Sequence, residues 1–189
     1  SAIQILDDGL TSRLLGNITA DVDVLPQLTA QFNFGVDRSN GQRRGYTPIA
    51  NPAGQNNGGS ASFQERNNNT NTFQSYLTYE AGFGESQLDV MGGYEFNDYS
   101  TTQASASAQG FVTDAFSYNN LGAGATLQRP SSSSVESRLV SFFGRANYSL
   151  LNRYFLTGVL RRDGSSRFGP QEQWGTFECA VAKTVSASR

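Results

Sequence analysis

The chain has 189 residues, with 14 Lys+Arg against 16 Asp+Glu, no His and a single Cys. A net charge of −2 argues against a nucleic-acid partner, which calls for a basic patch. Without His there is no Ser-His-Asp or Cys-His nucleophile and no HExxH site, and Cys179 alone makes neither an intrachain disulfide nor a cysteine metal cluster.

Residues 1–12 are weakly patterned and read as a partial loop or strand entry. Asp7-Asp8-Gly9 is a turn signal that lacks the alternating oxygen ligands of a calcium loop. No signal peptide heads the chain, which reads as a piece of a longer one. A first strand is expected near 14–25, where Ile18, Ala20, Val22 and Val24 alternate with Asn17, Thr19, Asp21 and Asp23. Leu25-Pro26-Gln27 reverses the chain, Pro presetting its φ. Over 28–37, Leu28, Ala30, Phe32, Phe34 and Val36 then oppose Thr29, Gln31, Asn33 and Asp37. Residues 38–70 form a long connection rich in Asn, Gly, Gln and Arg. Alternation resumes over 72–81 (Phe73, Ser75, Leu77, Tyr79, Ala81), turns at 82–86, and continues over 87–99 with Leu88, Val90, Gly92, Tyr94 and Phe96 on one side. A second long connection spans 100–134. Strands near 136–150 and 153–163 follow around Leu151-Asn152-Arg153, with Phe142, Gly144, Ala146, Tyr148 and Leu150, then Tyr154, Leu156, Gly158 and Leu160, on one face. Phe143 is the exception to this alternation. After the Asp163-Gly164-Ser165-Ser166 turn a seventh strand is expected over 174–182.

The order is therefore short turn, long connection, short turn, long connection, short turn. Transmembrane β-barrels have brief periplasmic turns and longer extracellular loops, with alternating strands of about ten residues that cross an apolar band about 25 Å tall. Ordinary globular strands have about five or six. The residues assigned above to the six apolar faces include no Asp, Glu, Lys or Arg, whereas the opposite faces carry Asp21, Asp23, Glu80, Asp89, Glu95, Arg145 and Arg161. Tyr79, Tyr148 and Tyr154 lie on the apolar faces close to short turns, the place of a periplasmic aromatic girdle, and Tyr94 and Phe96 fall near an outer one. The expected fold is all-β: an antiparallel up-and-down meander of six or seven long strands, part of a transmembrane β-barrel. A soluble β-sandwich carbohydrate-binding module and a structural or adhesive surface β-protein are the alternatives, the first requiring shorter strands.

The run GRANYSLLNRYFLTGVLRRDGSSRFG at 144–169 resembles the barrel signature of SusC/RagA-like TonB-dependent outer-membrane transporters, and YNNLGAG at 118–124 resembles a loop segment of the same family. The resemblance reaches back to about Arg13 and stops after Phe177, so that 178–189 is an atypical tail. It implies import of oligosaccharides or other large nutrients across the bacterial outer membrane, powered through TonB. It also implies a SusD-like surface lipoprotein closing over the loops and no enzymatic activity. The 22-stranded members of this class carry a plugged lumen, of whose wall six or seven strands are about a third.

No catalytic, cofactor or metal site is expected. Asp21 and Asp23 share a face, but a polar lumen supplies such pairs without catalysis. Arg161, Arg162 and Arg167 either form an anion site, pair with Asp163 and loop carboxylates, or meet lipopolysaccharide phosphates. The sequons at Asn17, Asn68 and Asn147 are discounted, two of them being in mid-strand. The loop aromatics Tyr99, Phe111, Phe116 and Tyr118 are candidate contacts for an oligosaccharide or peptide substrate; rings among Asn and Gln stack on sugars, or else pack the loop on itself.

Overall fold

A computed structural model of the chain describes residues 4–169 and 171–184. Its long strands are β1 (Leu6–Leu25), β2 (Leu28–Thr47), β3 (Ser60–Phe83), β4 (Ser86–Gln109), β6 (Ser131–Leu150), β7 (Tyr154–Ser165) and β8 (Trp174–Thr184). The two-residue β5 (Thr126–Leu127) follows two single 3-10 turns at Ser117–Asn119 and Leu121–Ala123. All the strands belong to one sheet in the order β1-β2-β3-β4-β6-β7-β8, with β5 paired to β4. β6 and β7 pair antiparallel from Leu150↔Tyr154 to Leu139↔Ser165, and β7 and β8 from Tyr154↔Thr184 to Gly164↔Trp174. A sandwich needs a second sheet, and among the described residues there is none.

Local chemistry sets the hairpins. Gly84 turns β3 into β4 at φ +60°, a conformation without steric cost for glycine. Leu151 and Asn152 stand at φ +56° and +50°, the paired left-handed conformation whose twist matches that of the strands it joins. Neighbouring turns are hooked together: the Leu151 N–H donates to the Glu85 carbonyl at 2.9 Å, and the Glu80 N–H to the Gln27 carbonyl at 2.9 Å.

The strands are far longer than the alternation predicts, and this corrects the two long connections. Residues 38–47 continue β2 and 60–70 begin β3, so the expected loop 38–70 shrinks to 48–59. Residues 100–109 continue β4 and 131–134 begin β6, so the expected loop 100–134 shrinks to 110–130. The strand expected from residue 14 begins at Leu6. These segments are mostly polar on both faces, with only scattered apolar residues such as Leu10, Tyr46 and Phe63. The backbone ladder forms without any hydrophobic period, and a reading built on that period cannot see it.

The tail also differs from expectation. Residues 178–184 complete β8, paired along β7, while 185–189 lie outside the described residues. Its unusual character is one of polarity. Glu178 lies opposite Leu160, on the side of β7 that is otherwise apolar, whereas Phe177 and Val181 lie opposite Arg161 and Thr157.

The chain divides into two units. Unit 1 comprises residues 1–14, 37–69 and 100–136, and unit 2 residues 15–36, 70–99 and 137–189. In unit 1 the buried apolar cluster is Tyr46, Ala61, Ala108 and Phe111, against which Ile49, Tyr118, Leu121 and Ala123 pack. In unit 2 the apolar face is bare: Ile18, Phe32, Phe34, Leu77, Leu156 and Leu160 are all exposed, Ile18 by 72%. Tyr79, Tyr148 and Tyr154 are exposed on it too, near the short turns. An apolar sheet face of this extent requires a covering.

Candidate substrate-facing wall

The face opposite the apolar one is a lattice of paired polar side chains. In unit 2, Asp21 accepts a hydrogen bond from Gln31 (2.7 Å) and Asp23 one from Thr29 (3.2 Å), so each carboxylate has its own cross-strand donor and the two form no acid-base dyad. Asn33 donates to Gln74, Thr72 to Asn97, and Asn97 in turn to Glu95. Asn147, in mid-strand, donates to Asp89 and accepts from Thr157. The densest cluster surrounds Arg161, which donates to Asp163 (2.8 Å) and to the buried Ser141 hydroxyl (3.1 Å) and stands 3.5 Å from Glu95. Its guanidinium also lies 5.6 Å from the centre of the Phe143 ring, which packs 5.6 Å from that of Tyr76. Phe143, the exception in the alternation, has room because a glycine faces it: a β-carbon at Gly93 would overlap its ring.

In unit 1 the polar face is a groove of about 770 Å³ crossing five strands, lined by Thr11, Arg43, Gln64, Arg66, Gln103, Ser105, Ser131 and Ser133 among others. Arg43 is held by Asp7 through two hydrogen bonds, 2.9 and 2.5 Å, which keep that carboxyl below its usual range. Ser105 and Ser131 share a 2.8 Å hydrogen bond between hydroxyls. Hydroxyls, amides and guanidinium groups, with Ala104 the one apolar side chain among the lining residues, suit a ligand rich in oxygen and nitrogen rather than a hydrocarbon. All these groove residues come from segments read as loops or entry from sequence; no alternation marked any of them.

No family model matches the chain. TonB-dependent receptor P3 of Formosa agariphila is 35% identical over 176 residues, covering 93% of this chain and 18% of that protein. TonB-dependent receptor SusC of Bacteroides thetaiotaomicron is 31% identical over 183 residues, covering 94% of this chain and 17% of that one. Among solved structures the RagAB peptide transporter superposes with a TM-score of 0.84 at 23% identity, over 93% of this chain and 20% of its own. The chain is a barrel segment of the SusC-like TonB-dependent receptors. It spans about a fifth of the length of these relatives.

As a SusC-like segment the chain belongs to the bacterial outer membrane, and a bare apolar face is what a barrel wall turns to lipid. The polar lattice and groove lie on the opposite side, the one a barrel turns to its lumen. The relatives named are receptors and transporters, not enzymes.

The four candidate aromatics are placed differently. Phe111 is buried and meets Tyr46 edge-on, ring centres 5.7 Å apart, and Tyr118 packs against the same cluster. Asp114 fastens this loop, accepting from the Tyr46 hydroxyl (2.7 Å) and the Ile49 N–H (3.0 Å). Phe116 and Tyr99 remain exposed, Tyr99 sharing the side of β4 that carries Glu95 and Asn97. The three arginines also part: Arg161 is on the lumen side, Arg162 on the lipid side, and Arg167 in the loop before β8.

Proposed function

We propose that the parent protein imports oligosaccharides or other large nutrients, peptides included, through a plugged outer-membrane barrel driven by TonB. A SusD-like lipoprotein covers its extracellular loops. This segment supplies about a third of the wall and two of the loops, and no chemistry of its own. The observation that carries the reading is the opposition of faces: one set of strands presents bare Phe, Leu and Ile on one side and paired Asp, Asn, Gln and Arg on the other. Among the loop aromatics, Tyr99 and Phe116 are the substrate contacts, while Phe111 and Tyr118 hold the loop that carries Phe116.

The test is uptake of labelled oligosaccharide and peptide panels by cells carrying the intact parent, with and without functional TonB. The expected result is TonB-dependent accumulation of one class, reduced several-fold by Tyr99→Ala and Phe116→Ala. Equal uptake with and without TonB would leave a structural or adhesive wall as the better account.

A further inference from the structure

On β7 the lipid-facing side reads Tyr154, Leu156, Gly158, Leu160, Arg162, Gly164, and the guanidinium in this series has to be accounted for. Its neighbour Arg161 faces the lumen between Asp163 and Glu95. Arg162 is exposed and, among the described residues, has no carboxylate at ion-pair distance. Its guanidinium lies instead 5.1 Å from the centre of the Trp174 ring. That ring is held firmly. It covers Gly164, where a β-carbon would come within 2.9 Å of three of its atoms, and it stacks on Phe142 at 6.3 Å and 25°. Phe142 meets Tyr94 at 5.3 Å, and Tyr94 meets Phe73 at 6.3 Å, so a row of four rings crosses the sheet.

The level of this row follows from the strand. Arg162 is eight residues beyond Tyr154. At a rise of about 3.3 Å per residue and a tilt near 40°, that is about 20 Å along the membrane normal, close to the far edge of an apolar band about 25 Å tall. Tyr154 marks the short-turn side, so Arg162 sits at the long-loop side, which is extracellular. The other charged pair on this face, Asp98 and Arg138 (3.1 Å), neutralises itself. Glu178 also lies on this face, opposite Leu160, but makes no ion pair with Arg162, whose guanidinium thus stands on an aromatic shelf at the outer headgroup boundary. Stacked on an indole, a guanidinium keeps its N–H edge free to fork onto phosphate oxygens.

We infer that Arg162 and Trp174 form a docking site for a lipid-linked phosphate, the phosphorylated headgroup of the outer-leaflet glycolipid, with its acyl chains running over Leu160 and Leu156. The inference rests on which face meets lipid and not on transport, so loss of uptake activity leaves it untouched.

The test uses the intact transporter, extracted in detergent, delipidated and titrated with diphosphoryl lipid A, with bound lipid counted by native mass spectrometry. Arg162→Gln is expected to weaken binding about tenfold, the loss of one charge-assisted contact. Arg162→Lys should keep most of it, and Arg161→Gln, on the other face, should leave it unchanged. Dephosphorylated lipid A should bind the unaltered transporter as weakly as Arg162→Gln binds the phosphorylated form. Should Arg162→Gln fail to fold, Trp174→Leu takes its place, with the same phosphate-dependent loss expected. Equal binding of lipid A with and without its phosphates would overturn the site. So would equal binding by the unaltered transporter and Arg162→Gln, and phosphatidylglycerol bound as tightly as lipid A would remove the glycolipid as its occupant.

Discussion

The two units share their strands but not their solvent. Along one side of β4, unit 2 contributes Leu88, Val90, Tyr94 and Phe96, and unit 1 contributes Ser100, Thr102, Ala104 and Ala106. β4 itself is a single strand from Ser86 to Gln109. A β-ladder therefore needs no hydrophobic period; the period records what lies against each face. In unit 2 the apolar side chains are exposed, as those of a barrel wall that meets lipid are. In unit 1 the apolar side chains that are buried gather where the 110–125 loop covers them: Tyr46, Ala61 and Ala108 meet Phe111.

The contrast can be tested most severely at the loop. Phe111→Ala removes the centre of unit 1's cluster and is expected to cost about 3–5 kcal/mol of local stability. Hydrogen exchange at the Ala125 N–H, which donates to the Gly110 carbonyl, reads that cost directly, and unchanged protection would show that the cluster does not hold the loop. Next comes the lipid face. Val90→Arg should cost about 2–4 kcal/mol near the bilayer midplane, whereas Thr102→Arg, on the same side of the same strand, should stay within about 0.5 kcal/mol. Urea unfolding of the intact barrel in vesicles measures both, and similar costs at the two positions would abolish the distinction drawn between the units.

A smaller effect belongs to Tyr46, whose burial and bond to Asp114 push the phenol well above its ordinary 10.0. The loop contact is fully present below that ordinary value and is lost progressively as pH rises above it, since only the protonated phenol can donate. Loop protease sensitivity should accordingly be flat from pH 7 to 9 and rise in stronger alkali. Tyr46→Phe should cost about 1 kcal/mol and abolish the dependence. The smallest effect concerns a turn in unit 2: Leu151→Gly relieves a side chain held at φ +56° and should raise stability by about 0.5–1 kcal/mol, read as a shift in the urea midpoint.

Where lipid imposes a period of two, the hairpins were legible residue by residue. Pro26, Gly84 and Asn152 announced the three short turns, and Ile18, Phe32, Leu77 and Leu156 marked the lipid side. The candidate wall was legible only in part. Arg161 and Asp89 could be put on the polar face, but Arg43, Gln64 and Ser131 carried no signal, because polar residues on both sides of a strand look like loop. Phe111 and Phe116 were indistinguishable in sequence; one is buried under Tyr46 and the other exposed because a tertiary contact, Asp114 to Tyr46, folds the loop between them.

By itself, then, the order of side chains determined the fold class, the topology of hairpins and the side of the sheet that carries the apolar side chains, since each of these is written in neighbours two residues apart. Tertiary structure alone decided how far the strands run, which rings are covered, and that Arg161 and Arg162, adjacent in sequence, face a carboxylate cluster and an indole on opposite sides of the sheet. Those outcomes depend on partners distant in the chain, and cross-strand pairing is what selects them.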